Sequence, residues 1–265
     1  MTVIDGERER RMVFGEVADL YERVRPGYPA ELIRDVLAYG SVVRGDRVLE
    51  VGAGTGKATR LFAAHGLRMV CLEPSAPMAA IARHRCAGFP DVCFEVSTFE
   101  DWPLEEGAFR LLVSAQAWHW VSSEVRCPKA HAALARDGAL ALFWNRPQVG
   151  NGELRAAFDE IYDRFAPTLR AGAGGTSPEP AEVEEEFSEL ERGGLFVSVT
   201  ERHYAWSEEY PGARYLSLLR TQSDHRLLEE RTRHRLLDAL GRVIAEGDGG
   251  VTVDYETKLY LALRS

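Results

Sequence analysis

Val48-Leu-Glu-Val-Gly-Ala-Gly-Thr-Gly-Lys57 is the stretch on which the reading of this chain turns. An apolar run passes through Glu50 and Val51 into Gly52, Gly54 and Gly56, and a helical pattern begins near Thr59. Glycine lets a backbone turn tightly and come close to a ligand, because no Cβ stands in the way. A structural turn needs one such glycine. Three in alternation between a strand and a helix predict a binding loop.

The pyrophosphate loop of nicotinamide-binding folds is G-x-G-x-x-G. Here the third glycine comes one residue early, at Gly56, and Lys57 stands where that pattern requires glycine. The Glu50 carboxylate at the strand's end suits an ammonium group, or an amide-coordinating water, better than a diphosphate. Both departures favour a cofactor with an amino-acid end and leave a nicotinamide-dependent oxidoreductase as the alternative enzyme class. A second apolar run, Leu67 to Glu73, ends in an acid nineteen residues beyond Gly54. An acid in that register accepts both hydroxyls of an adenosine ribose.

Working outward, short apolar runs alternate with helical ones. Arg47–Val51, Leu67–Glu73, Val92–Val96, Phe109–Ser114 and Ala139–Trp144 read as strands; Thr59–His65, Pro77–Arg85 and Val125–Arg136 read as helices. This alternation implies right-handed crossovers and a doubly wound, mostly parallel α/β sheet. Two helices precede it, one carrying Val17, Leu20, Tyr21 and Val24, the other Leu32, Ile33, Val36 and Leu37, with the break Arg25-Pro-Gly-Tyr-Pro29 between them. After Trp144 come a helix over Leu154 to Phe165, a mobile loop at Ala171 to Pro180 and an acidic helix at Glu182 to Glu191. A strand at Leu195 to Trp206, helices at Tyr210 to Leu219 and Leu227 to Ile244, and a strand at Val251 to Leu263 complete the pattern. The last two strands pair antiparallel at the sheet's edge, which makes seven strands and a helical cap. The expected organisation is one domain over residues 1–265. Residues 1–40 form a helical lid, 41–145 the cofactor-binding core, and 146–265 the cap insertions with the last two strands.

Composition narrows the partners. The chain has 265 residues, 41 acidic and 32 basic, with a formal net charge of −9. Such a surface repels phosphate backbones, so nucleic acid is not expected. The amino terminus lacks a signal peptide's apolar core, and no apolar run reaches membrane-spanning length. Cys71, Cys86, Cys93 and Cys127 show no metal-ligand spacing, and Cys71 and Cys93 lie in strand-like runs where a thiol packs as a small hydrophobe. A cytoplasmic protein with reduced thiols, no metal and no membrane partner is expected, and the oligomeric state stays open.

Four segments together resemble the class I S-adenosylmethionine-dependent methyltransferases. They are Glu50-Val-Gly-Ala-Gly-Thr-Gly56, Glu73-Pro-Ser-Ala-Pro-Met78, Ser97-Thr-Phe-Glu-Asp-Trp-Pro-Leu104 and Val113-Ser-Ala-Gln-Ala-Trp-His-Trp120. The similarity covers roughly Val13 to Trp144 and is nearest to the small-molecule branch that includes trans-aconitate methyltransferase-like enzymes, with Tyr21 to Pro29 resembling its lid. The resemblance implies S-adenosyl-L-methionine as cofactor and a small organic acceptor. It implies that Gly52, Ala53 and Gly54 hold the methionine end, that Glu73 binds ribose with Pro74 also at the cofactor, and that Met78 packs on adenine. The family's adenine-binding aspartate is replaced by Thr98, which passes adenine recognition to backbone groups of Phe99 and Glu100; Phe99 also fits a plain core role.

Gln116 to Val121 follows the fourth strand, at the carboxyl end where open parallel sheets bind ligands. Gln116 is expected at the cofactor. Trp118 and Trp120 suit a wall around a cationic sulfonium or plain packing. His119 is the candidate catalytic residue, as a proton acceptor or an acceptor-orienting contact, against the reading of a hydrogen-bonded structural histidine. Tyr21, Arg25 and Tyr28 flank the lid's break, where Tyr21 and Arg25 face the cofactor and Tyr28 the acceptor, although Arg25 also suits a helix carboxyl end. Asn145 and Arg146 are expected just after the fifth strand on the cleft side, with Asn145 at the acceptor. The reaction expected is in-line methyl transfer, and a protein that binds S-adenosylmethionine without turnover is the non-enzymatic alternative.

Overall fold

Strands β1 (Arg47–Val51), β2 (Arg68–Leu72), β3 (Val92–Glu95), β4 (Phe109–Ala115), β5 (Leu134–Val149), β6 (Phe196–Pro211) and β7 (Gly250–Arg264) form one sheet in the order β3-β2-β1-β4-β5-β7-β6. The computed structural model describes residues 18–149, 152–169 and 188–265. β1, β2, β3, β4 and β5 run parallel, and β7 enters antiparallel between β5 and the edge strand β6. β1 lies inside the sheet between β2 and β4, and its Val48, Leu49, Glu50 and Val51 are all buried. A strand covered by helices on both faces is apolar on both, which explains the unbroken rather than alternating run.

The helices bounded within the described residues are α1 (Ala18–Val24), α2 (Ala30–Tyr39), α3 (Lys57–Ala63), α4 (Ala76–Arg85), α5 (Ser123–Ala133), α6 (Gly152–Phe165), α7 (Gly212–Leu219), α8 (Ser223–Leu227) and α9 (Glu230–Glu246). One sheet face packs Leu32, Val36, Phe62 and Phe143. The other packs Trp102, Trp118, Trp144 and Tyr260. A third cluster lies under the cap, where Leu236, Leu237, Leu240 and Ile244 of α9 meet Phe158 and Tyr215, and Val24 of α1 joins them. Spacings of one, three and four residues put those α9 side chains on one stripe. Each such side chain contributes about 1.5–3 kcal/mol on burial. The first described helix, α1, is therefore seated on the cap.

The sheet departs from the sequence reading in its second half. β5 continues to Val149 because β7 pairs with it as far as Val149↔Val253, so Asn145 and Arg146 lie inside a strand rather than in a loop after it. Tyr210 likewise belongs to β6, paired with Val251, and not to a helix. Cys93 is exposed on the edge strand β3 and does not pack as a core residue, whereas Cys71, Cys86 and Cys127 are buried. The expected loop at Ala171 to Pro180 lies outside the described residues; so do the first seventeen residues and most of the acidic segment, of which residues 188–192 are helical. Among the described residues no helix is long and apolar enough to cross a membrane.

β1 has β2 on one side and β4 on the other, and the order of strands reverses between them. The loops leaving β1 and β4 part there, which opens a crevice at the carboxyl ends of the strands.

Candidate active site

The loop after β1 is held to β2 by two amides, as Gly52 and Ala53 both donate to the Leu72 carbonyl at 2.9 Å. Gly52 has φ +76°, and a Cβ there would stand 2.2 Å from the Cβ of Ala117. Gly54 has φ +59°, and its missing Cβ would project toward Met78 Cε at 3.6 Å. The first glycine lets the β4 turn close against the loop; the second keeps the floor of the crevice clear.

Glu73, just past β2, is buried and accepts the Gly54 N–H on Oε2 and the Ser75 N–H on Oε1, each at 2.8 Å. Burial pushes its carboxyl above the usual range, against the pull of those two amides. A carboxylate has about four acceptor positions, so two are left for other donors. Glu73 thus ties the glycine loop to β2 and remains a hydroxyl acceptor.

One cleft is lined by Tyr21, Gly52, Gly54, Glu73, Pro74, Met78, Thr98, Phe99, Glu100 and Gln116, with Trp120 at its side. An adjoining cavity is lined by Tyr21, Arg25, Tyr28, Glu50, Gly52, Ala53, Gly54, Gln116 and Asn145. The two meet along Tyr21, Gly52, Gly54 and Gln116. The structure therefore brings nearly all the expected residues to one continuous space.

Trp118 is not among them. It is fully buried in the core beside Phe99, ring centroids 6.1 Å apart, because the 3-10 turn Trp118–Trp120 sends alternate rings to opposite sides. Trp120 faces the cleft instead. His119 lines neither space described here; its ring lies 4.5 Å from that of Trp120, and its Nδ1 accepts the Trp144 indole N–H at 3.4 Å. Phe99 is both a core ring and a wall of the cleft. Thr98 donates to Asp101 Oδ2 at 2.9 Å and accepts the Asp101 N–H at 3.1 Å, so its hydroxyl closes its own turn. Glu100 accepts the Ser122 N–H at 3.1 Å, and Lys129 clamps the Glu100 and Trp102 carbonyls at 2.9 and 2.5 Å.

In the adjoining cavity Glu50 is buried, accepts the Thr59 hydroxyl at 2.5 Å, and is pushed up to about 7 by that burial. Arg25 donates from Nε to Thr221 Oγ1 and from its terminal nitrogen to the Thr221 carbonyl, both at 2.9 Å, and lies 5.0 Å from the Tyr21 ring centre. It anchors the lid to the turn after α7, close to the capping role that was its alternative. Tyr28 meets Phe143 edge to face at 4.9 Å. Asn145 Nδ2 donates to the Gly27 carbonyl at 2.9 Å, and its Oδ1 accepts the Thr257 hydroxyl at 2.6 Å.

Glu22 escaped the sequence reading. It is buried on α1, accepts the Thr55 hydroxyl at 2.6 Å, pairs with Arg60 at 3.1 Å, and offers its carbonyl to Lys57 Nζ at 2.8 Å. No local signal marks one acid among the scattered charges of a helix; its partners lie more than thirty residues away.

A doubly wound sheet whose glycine loop and strand-end acid face one crevice defines a nucleoside-binding enzyme fold with room for an amino-acid tail. Comparison with known proteins carries this further. A model of the methyltransferase domain matches residues 48–138. An uncharacterized methyltransferase of Mycobacterium tuberculosis is 34% identical over 173 residues, spanning 65% of this chain and 67% of that one. A proposed type II methyltransferase from Anaeromyxobacter dehalogenans superposes with a TM-score of 0.63 at 22% identity, over 90% of this chain and 97% of that chain. A Haemonchus contortus phosphoethanolamine N-methyltransferase, solved with phosphomonomethylethanolamine and S-adenosylhomocysteine, gives 0.55 at 15% identity over 94% and 57%. The chain belongs to the class I S-adenosylmethionine-dependent methyltransferases. Its cofactor is S-adenosylmethionine.

Proposed function

We propose that this enzyme methylates a small organic acceptor, and that its residues act by alignment and exclusion of water rather than by strong acid–base chemistry. The observation that carries the reading is the roofing of the cavity. Tyr21, Arg25 and Tyr28 of the lid form one wall, which Arg25 fastens to Thr221 and the Gly27 carbonyl fastens to Asn145 of β5. A space covered by its own chain suits a small acceptor better than a polymer, and the formal charge of −9 disfavours nucleic acid.

S-adenosylmethionine supplies a methyl group already activated by the positive charge on sulfur. The reading gives Glu73 the ribose hydroxyls, Met78 and the Thr98 to Glu100 loop the adenine, and the Gly52 to Gly54 backbone with Arg25 and Glu50 the amino-acid end. Tyr28 and Asn145 stand on the acceptor side; His119 lies outside both spaces and packs on Trp120, which lines the cleft. In-line displacement then depends on holding the nucleophile against the methyl, which geometry alone accelerates greatly. His119 is a positioning residue in this reading, acting through the Trp120 ring 4.5 Å from its own. Its Nδ1 accepts from Trp144, which fixes the ring's orientation.

The test is methyl transfer from methyl-labelled S-adenosylmethionine to a deproteinised small-metabolite extract, beside bulk RNA, DNA and denatured protein. Label in the small-molecule fraction alone is expected. Label in a polymer fraction at a comparable rate overturns the acceptor class.

A further inference from the structure

Gln116 occupies the place where the two spaces of the site meet, and it is the wall common to both that carries a flexible polar side chain. Its backbone has φ +59°, in the left-handed region, although it is not glycine. Its N–H continues the sheet by donating to the Phe143 carbonyl at 2.9 Å. Left-handed backbone at a residue with a side chain persists where the surroundings hold it, and such positions cluster at ligand sites.

The orientation of the side chain follows from its partners. Nε2 donates to the Asn145 carbonyl at 3.3 Å. A carbonyl only accepts, so the amino side of the amide faces β5 and Oε1 faces away from it. Asn145 is itself held by the Gly27 carbonyl and the Thr257 hydroxyl, and Thr257 in turn accepts the Trp206 indole N–H at 2.8 Å. The chain of bonds from β6 through β7 and β5 fixes the amide. Oε1 is buried and has no hydrogen-bond partner among the described residues. A buried carbonyl without a donor is costly, so a site built this way is complete only with a donor from a ligand.

We propose that Gln116 Oε1 accepts a hydrogen bond from the α-ammonium of the cofactor's amino-acid end, which makes Gln116 a specificity-determining residue for that end. The inference rests on the placement of the cofactor given under Proposed function. The ligand group must carry an N–H or O–H. The ribose hydroxyls belong with Glu73 on the cleft side, the adenine amino group lies at the far end beside Thr98, and the sulfonium has no such hydrogen. The ammonium is the cofactor donor that reaches the shared wall. Glu50 contributes charge to the same cavity, but one of its oxygens is already engaged by Thr59. The neutral amide adds direction without adding a second buried charge.

The experiment is a calorimetric cycle on the full chain, wild type and Gln116→Leu, each titrated with S-adenosylhomocysteine and with its deaminated analogue, in which hydrogen replaces the amino group. Gln116→Leu should lose roughly 10- to 100-fold in affinity for S-adenosylhomocysteine, the range for a hydrogen bond to a charged group. Its affinity for the deaminated analogue should match that of the wild type, so that the two losses do not add. An equal loss for both ligands overturns the proposal, because the amide then only shapes the cavity. Unchanged affinity for S-adenosylhomocysteine overturns it as well. If the wild type binds neither ligand, the cofactor placement itself fails, which is a different result from either.

Discussion

Glu22 of the lid helix and Thr55 of the glycine loop share a hydrogen bond of 2.6 Å, buried from solvent and thirty-three residues apart in the chain. Lys57, Arg60 and Arg85 converge on the same acid at 3.7, 3.1 and 3.6 Å. The lid is thus latched to the loop that forms the floor of the site.

Removing the latch should loosen the lid. Burial pushes the Glu22 carboxyl up, but the Thr55 hydroxyl, Lys57 and Arg60 outweigh it and hold the group below its ordinary value. A carboxyl with a lowered folded value stabilises the fold above its unfolded value near 4.5, and that contribution is lost as pH falls through the folded one. Glu22→Gln should therefore melt lower than wild type at neutral pH, with the gap closing below about pH 4. S-adenosylhomocysteine should also bind the variant more weakly. A constant gap down to pH 3 would show that the charge of Glu22 is not what stabilises.

Glu73→Ala should weaken S-adenosylhomocysteine binding by roughly 1.5–3 kcal/mol. It should also lower the melting temperature, since Gly54 and Ser75 lose their acceptor. Glu73→Gln keeps an oxygen for one of those amides and should fall between. Calorimetry on the three proteins checks the order, and full affinity in the alanine variant would remove Glu73 from the cofactor site.

Glu50 gives the opposite pH dependence. Burial raises its carboxyl to about 7, above the unfolded value near 4.5. The fold therefore favours the protonated form; that stabilisation is complete below the unfolded value and is lost as pH rises through about 7. Wild type should lose about 1.4 kcal/mol relative to Glu50→Gln between pH 6 and 8. Gln keeps an acceptor for the Thr59 hydroxyl, so the comparison isolates the charge. Parallel melting curves for the two proteins across this range would mean that Glu50 is ionised throughout.

For His119 the two substitutions should separate. Gln offers a side chain of similar reach without a titrating ring, and turnover within a few-fold of wild type is expected, with alanine about tenfold lower and cofactor affinity unchanged in both. A general base contributes about 10²–10⁴-fold. Losses of that size in the glutamine variant, together with loss of pH dependence near neutrality, would restore the base. Unchanged turnover in both variants with lower thermal stability would leave His119 a packing partner of Trp120 and Trp144.

What the sequence determined alone is what short-range chemistry controls. Three alternating glycines after an apolar strand, an acid nineteen residues further on, and apolar runs switching between strand and helix spacing are each readable within a few neighbouring residues, and the central strands and crevice follow from them. The tertiary structure decided everything that depends on a distant partner. Asn145 sits in a strand because β7 continues to pair beyond it, and it holds the lid because Gly27 and Thr257 lie within reach, 118 and 112 residues away in the chain. Trp118 and Trp120 are alike in sequence, yet one is core and the other lines the cleft. Glu22 and Gln116 acquire their roles only when Thr55, Arg60 and the Asn145 carbonyl are brought beside them. Local pattern specifies which element a residue joins; burial and hydrogen-bond satisfaction belong to whatever the fold packs against it.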